Sequence, residues 1–311
     1  MVVRHTSAGP ALLASAFLNP VQNILGIENA ILSGTSSRHY VPDYETPLSI
    51  KTVVAESVVW ETPGRRYVVH ENTYLVLNDG QRYSMTMDSH APSTTFCIFF
   101  QRGFVEAVSR AHNSCVTSLL DAPDQKSSGN MTFRERLEPA PARVLAATRQ
   151  FHAALRRGHI SRTGAEEAFL AMAEALVRDQ QTAMEAPSRI GAARTSTREE
   201  LYRRVSRGRD LLLSSLGEPV TLRDAARAAC LSSYHFLRAF RDAFGQTPHQ
   251  FLTGQRLARA QTLLARGQYS VTEVCLESGF QSLGSFSSLF RRQFGASPRR
   301  FQRNAARLRH S

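Results

Sequence analysis

Cysteine is scarce in this chain. The 311 residues contain four, Cys97, Cys115, Cys230 and Cys275, at no paired spacing, and the last two fall inside helical patterns. That argues against a disulfide framework and for reduced core thiols in a cytoplasmic protein. Long apolar runs are lacking too. The best N-terminal stretch, Ala11 to Leu18, is interrupted by Ser15 and closed by Asn19-Pro20, too short for a membrane span. The expectation is a soluble, unprocessed chain with no membrane partner. Lysine is missing from residues 187–311 altogether, so every basic residue there is an arginine.

What is present is charge of one sign in one place. Up to Ala186 there are 17 Lys+Arg against 18 Asp+Glu, a balance of −1; from 187 onward 21 arginines face 8 acids, a balance of +13, and the two add to the net +12. Each cation that neutralises a phosphate releases a condensed counterion, so such a segment suits a polyanion. A solvated arginine-rich surface or a membrane-facing helix would carry the same charge. The length suggests two domains.

From Leu48 to Phe104 the pattern has period two. Tyr83, Met85 and Met87 alternate with polar residues after Asn78-Asp79-Gly80, which reads as a β-hairpin. Val53-Val54, Val58 to Trp60, Tyr67 to Val69, Tyr74 to Leu77 and Phe96 to Phe100 supply further short strands, enough for a small antiparallel barrel or sandwich. Between Pro141 and Glu185 the period becomes helical. Phe151 and Leu155 lie on one stripe, Gly158 breaks the run, and Phe169, Met172 and Leu176 form a second stripe. Such a helix pair either packs on the barrel or forms a dimer seam, and these five residues are the dimerisation candidates. Ala186 to Thr197, with Pro187 and Gly191 and few large apolar residues, reads as an exposed linker.

The C-terminal part repeats itself. Phe236, Phe240, Phe244-Gly245, Pro248 and Phe251 recur fifty residues later as Phe286, Phe290, Phe294-Gly295, Pro298 and Phe301, with Ser232 and Arg241 returning as Ser282 and Arg291. Each copy opens on a capping residue, Thr221 in the first and Ser270 or Thr272 in the second. A turn follows, around Cys230-Leu231-Ser232 or Ser278-Gly279-Phe280, and then a second helix. Helix, tight turn and helix is the arrangement that offers its second helix to a DNA major groove.

At 100° per residue Phe236, Ala239, Phe240 and Ala243 share one side of that second helix, leaving Tyr234, Leu237, Arg238 and Arg241 outward. In the second copy Phe286, Leu289 and Phe290 face inward, and Gly284, Ser287, Ser288 and Arg291 face out. Arg238 can donate two hydrogen bonds to a guanine edge or clamp a phosphate. Tyr234 and Leu237 suit a thymine methyl. The small and hydroxylic second helix suits close insertion with poor base discrimination.

Residues 198–303 resemble the DNA-binding domain of the AraC/XylS family of bacterial regulators. The run from Gly279-Phe280-Gln281-Ser282 through Phe290-Arg291-Arg292-Gln293-Phe294-Gly295-Ala296-Ser297-Pro298 carries that likeness nearly throughout. The resemblance implies seven helices, with Gln255 to Ala265 in a long helix that holds the two reading helices about one turn of DNA apart. It also places Ser233, Tyr234, Leu237 and Arg238, and Leu283, Gly284, Ser285, Ser287 and Ser288, at base- or backbone-contacting positions. The chain departs from the family at Gln302, where arginine is common, and at Leu283-Gly284, where polar residues are more usual.

The first half resembles, less specifically, the cupin-like ligand-binding and dimerisation domain of the same family, through His70 to Tyr83 and Phe96 to Phe100. Metal-dependent cupins begin their ligand set with a His-x-His pair, but Asn72 stands two residues beyond His70, which argues against a metal and leaves no cofactor to expect. His70, Tyr83 and His90 are the candidates for contact with a small effector. The fold expected is thus α+β: a cupin-like sensing domain over residues 1–140, a helical pair over 141–186, a linker over 187–197 and an AraC-type double helix-turn-helix domain over 198–311.

The function that follows is a regulator, not an enzyme, that binds double-stranded promoter DNA as a homodimer under control of a small molecule and acts through RNA polymerase. Two other readings are a barrel switched by a protein partner, and a cupin-type oxygenase or isomerase tethered to DNA. The missing metal ligands argue against the last.

Overall fold

A computed structural model describes residues 2–7, 25–113, 131–139, 144–145, 148–150, 152–153, 162–191 and 195–310. The chain divides into two compact units, Met1–Glu185 and Ala186–Ser311. Phe151, Leu155, Gly158, Cys115 and the Ala11 to Leu18 stretch lie outside the described residues.

The first unit is an eight-stranded, mostly antiparallel near-barrel of β1 (Val2–Ser7), β2 (Ala30–Thr46), β3 (Ser49–Ala55), β4 (Ser57–Thr62), β5 (Arg65–His70), β6 (Thr73–Leu77), β7 (Gln81–Phe99) and β8 (Leu137–Pro139). Its path is β1-β2-β7-β3-β6-β8, with β4 and β5 joined through β7. The 19-residue β7 holds it together. It pairs with β2 along its length, with β3 over Thr94 to Phe99 and with β4 over Ser84 to Thr86. Among the described strand pairs, β1 against β2 is the parallel one.

The turn expected at Asn78-Asp79-Gly80 is present, closed by Gln81 N–H donating to the Asn78 carbonyl at 3.1 Å with Gly80 at φ +79°. It does not make a hairpin. β3 lies between β6 and β7, so the turn carries the chain across β3. A strand-turn-strand signal is local and names no pairing partner. The two-residue hairpin falls instead at Pro63-Gly64, where Thr62 faces Arg65 between β4 and β5.

Strand alternation sorts the side chains into two layers. Ile31, Ile50, Tyr74, Phe96 and Ile98 join Val105 and Val108 of α1 (Phe104–Asn113) and Phe169, Met172 and Leu176 of α2 (Arg162–Glu185) in one core. The alternate residues, among them Trp60, Leu75, Tyr83, Met85, Cys97 and Phe99, are buried on the barrel's inner side. Tyr74 Oη donates to the Asp179 carboxylate, tying α2 to β6.

Of the two readings left open for the second stripe, packing on the barrel is the one seen: Phe169, Met172 and Leu176 are 2, 1 and 3 % exposed and belong to this chain's own core. Helical periodicity reports that a face is covered, and not what covers it.

The second unit holds seven helices among its described residues: α3 (Thr195–Ser214), α4 (Leu222–Ala228), α5 (Ser233–Phe244), α6 (Pro248–Arg266), α7 (Val271–Glu277), α8 (Leu283–Phe294) and α9 (Pro298–His310). The resemblance led to that number, and Gln255 to Ala265 do fall in the long α6. The segment read as an exposed linker is more ordered than its composition suggested. Ala186 to Arg189 form a 3-10 turn, and Ala186 and Ile190 pack with Tyr202 and Ala243.

Candidate nucleic-acid interface

Each helix pair is set by its ends. Thr221 and Asp224 form a reciprocal capping box on α4, with Asp224 N–H donating to Thr221 Oγ1 at 3.2 Å and Thr221 N–H donating to the Asp224 carboxylate at 3.1 Å. Ser270 and Glu273 repeat it on α7, which settles the second cap on Ser270 and leaves Thr272 inside the helix. Hydrogen bonds from Thr221, its hydroxyl first, hold the Asp224 carboxyl below its usual range, and those from Ser270, its backbone N–H first, do the same for Glu273. Ser232 caps α5 through His235 N–H, and Ser282 caps α8 through Ser285 N–H. Both helices end on a left-handed glycine, Gly245 and Gly295.

The turns between the paired helices differ by one residue. In the first, Cys230 takes the left-handed place at φ +53°, two residues before the cap Ser232; in the second Gly279 takes it at +79°, three before Ser282. Cys230 is exposed there, and so is not the core thiol expected; Cys97 and Cys275 are buried. Gly279 is required twice over, because a Cβ there would also meet the Leu216 carbonyl at 2.3 Å.

On α5 Phe236, Ala239, Phe240 and Ala243 are buried, and Ser233, Tyr234, Leu237, Arg238 and Arg241 are all exposed. On α8 Phe286 and Phe290 are buried with Leu289 half-buried, while Leu283, Gly284, Ser285, Ser288 and Arg291 are exposed and Ser287 is half-exposed. The inward rings interlock: Phe240 meets Phe236, Phe244 and Phe251, and Phe290 meets Phe286, Phe294 and Phe301. Those contacts fix the rotation of each helix, and hence which side chains face out.

Arg292 also stands exposed at the rim of α8, where α5 has Asp242. Its position one residue past Arg291 was the available signal, and the sequence reading passed over it. Gln302, a departure from the family pattern, donates Nε2–H to the Tyr269 carbonyl at 2.7 Å, an intramolecular role.

In the barrel Tyr83 is buried on the inner side, and burial holds its hydroxyl pKa well above the ordinary value. His70 is three residues beyond Tyr67, whose partner Trp60 also faces Met85, so His70 lies on the opposite face and the fold does not bring it to Tyr83. It closes the β5–β6 turn through its N–H to Thr73 Oγ1 at 2.9 Å. The backbone of His90 belongs to β7. Among the described residues no group of three or more His, Cys, Asp or Glu is placed to hold a metal ion, and no helix is long and apolar enough to cross a membrane.

A family profile described as a helix-turn-helix domain matches residues 225–304. The chain carries a helix-turn-helix domain. It is 36 % identical over 87 residues to a probable transcriptional regulator, LumQ, of Photobacterium leiognathi, covering 28 % of this chain and 35 % of that protein. It is 38 % identical over 82 residues to the transcriptional activator RhaS of Salmonella arizonae, covering 26 % of this chain and 30 % of RhaS. Among solved structures, the DNA-binding domain of AdpA in complex with a target DNA is 36 % identical, over 34 % of this chain and 94 % of that one, at a TM-score of 0.32. The match thus spans about a third of each full-length relative and falls on the helix-turn-helix domain.

Proposed function

We propose that this chain is a sequence-specific DNA-binding transcription regulator that places α5 and α8 in successive major grooves of promoter DNA. The observation that carries this is the repeated helix pair with its aromatic side buried and Tyr234, Leu237, Arg238 and Arg241, then Leu283, Gly284, Ser285, Ser287, Ser288 and Arg291, left on the other side. Ser233, at the first turn of α5, joins them. Arginine supplies the phosphate attraction, since the excess of +13 lies wholly beyond residue 186. Two relatives that match this domain are named as transcriptional regulators, and the AdpA domain is described with its target DNA.

The rest of the reading follows that domain's place in the chain. The barrel binds a small effector, the protein acts as a dimer in the cytoplasm, and bound protein alters recruitment of RNA polymerase. The domain limits proposed are 1–140, 141–186, 187–197 and 198–311. A footprint of the full chain on DNA upstream of its own gene and its neighbours, with and without metabolites, tests it. Protection that weakens steeply with salt is expected; none anywhere upstream at low salt sinks the reading.

A further inference from the structure

Lysine is the rarest of this protein's charged residues. The chain has two, Lys51 and Lys126, among 38 Lys+Arg. Lys51 is fully buried in the middle of β3, with Leu75 of β6 and Cys97 of β7 directly opposite. Its neighbours Ile50 and Ile98 belong to the core shared with the helices, so alternation aims Lys51 at the barrel's inner side. There its Nζ lies over two ring faces, Phe99 at 4.0 Å and Tyr83 at 4.6 Å from the centroids. It has no hydrogen-bond acceptor among the described residues. Trp60, opposite Met85 on the same inner side and fully buried, presents an indole N–H that likewise has no acceptor among them.

A buried ammonium without an anion is costly, and ring faces offset only part of that cost. Burial brings the Lys51 pKa down to about 8, so at neutral pH the amine is still mostly protonated. The nearest titratable neighbours supply no negative charge, because burial raises the Cys97 thiol and the Tyr83 phenol, leaving both neutral. Among the described residues, the inner side of the barrel therefore presents a cation with no anionic partner and a second hydrogen-bond donor, beside Tyr83, Met85 and Phe99.

We infer that the barrel takes an anionic effector, a small apolar monocarboxylic acid whose carboxylate pairs with the Lys51 ammonium and whose body lies among these rings. The inference rests on the effector reading above and names the chemical class of that effector. Retaining a buried cation that lacks a partner among the described residues is the trade of stability for binding met at functional sites.

Octanoate and 3-phenylpropionate, each beside its uncharged amide, serve as probes on the full chain. At millimolar concentration either acid should raise Tm by roughly 5 °C, with the amides leaving it unchanged. Lysine-selective isotope labelling gives two side-chain signals, assigned with Lys126→Arg, and the Lys51 signal should move with acid alone. Lys51→Met should lose the response while its own Tm rises, since an unpaired buried charge is gone. Lys51→Gln with the same melting readout serves should the methionine variant fail to fold.

Acid and amide acting alike, a response that survives in Lys51→Met, or no change of Tm and of the Lys51 signal with either acid overturns the inference. Amides that bind as well as acids would remove the anion but leave an effector in the barrel. The footprint experiment fails or succeeds independently of Lys51.

Discussion

Gly208 of α3 lies directly against the ring of Phe236 on α5: a Cβ built at 208 would come within 2.4 Å of Phe236 Cε2 and 2.7 Å of the Ala225 carbonyl. Absence of a side chain at one helix position thus sets how closely α3 approaches the first helix pair. Gly208→Ala gains about 1 kcal/mol of helix propensity. Against that stands overpacking of a buried ring, typically about 1–3 kcal/mol, with backbone on the other side that cannot step aside. The clash wins. The variant is expected to unfold its C-terminal unit at lower denaturant than the parent and to bind DNA more weakly at 37 °C, measured by urea melts and gel shift; a more stable variant would show that α3 can move away.

The two capping boxes give a pH signature. The Asp224 and Glu273 carboxyls are held below their ordinary values of 3.8 and 4.5 in the folded chain, chiefly by Thr221 and Ser270. A depressed folded pKa contributes stability that is fully present above the unfolded value and is lost as pH falls through the folded one. Both groups are exposed, so the effect is modest. Asp224→Asn with Glu273→Gln should lower Tm at pH 7, and the deficit should shrink as pH falls below the ordinary carboxylate values and through the lowered ones of the folded chain. A deficit independent of pH would assign the effect to packing.

The helix pairs were legible because their information is local. Capping residues, the left-handed glycines and the aromatic period all act within a few residues, and the fifty-residue repeat displayed them twice. Gly208 carries no such mark, since its meaning comes from Phe236 across a helix crossing. In the barrel the strands at Val58, Tyr67 and Phe96 stood out, but β2, with Ser33, Ser36, Arg38 and His39 in its run, has too little apolar alternation to announce a seventeen-residue strand. Strand order was hidden for the same reason that the Asn78-Asp79-Gly80 turn misled: insertion of β3 between β6 and β7 is decided by contacts distant in sequence. Lys51 shows the limit sharply, because alternation places it inward while its charge suggests the surface.

Burial of the α2 stripe changes what a mutation there should do. Phe169 and Leu176 fill the core between α2 and the barrel, so Phe169→Ala should cost about 3–5 kcal/mol. Leu176→Asp should unfold the first unit, because an unpaired carboxylate would be buried. Circular dichroism with sedimentation separates this from a dimer seam; a folded monomer of Leu176→Asp would return the stripe to the interface.

Arg238 and Ser288 occupy matching places on the two outward faces, ahead of the capping glycines Gly245 and Gly295 of their helices, and both are exposed. If Arg238 donates two hydrogen bonds to a guanine, Arg238→Ala should cost ~1–3 kcal/mol of binding and relax preference at one base pair. A phosphate contact leaves a different trace, a loss nearly uniform over sequences and a salt slope smaller by about one unit. Tyr234 and Leu237 flank Arg238 on the same face, giving the first helix apolar contacts that Gly284 and Ser287 do not offer at the equivalent places of the second. Ser288→Ala removes one short hydroxyl and no charge, so it should do far less on both counts. Binding of the two variants to a library of single-base operator changes at two salt concentrations reads both signatures at once. A Ser288→Ala effect exceeding that of Arg238→Ala would reverse the ranking and make α8 the principal reader of sequence.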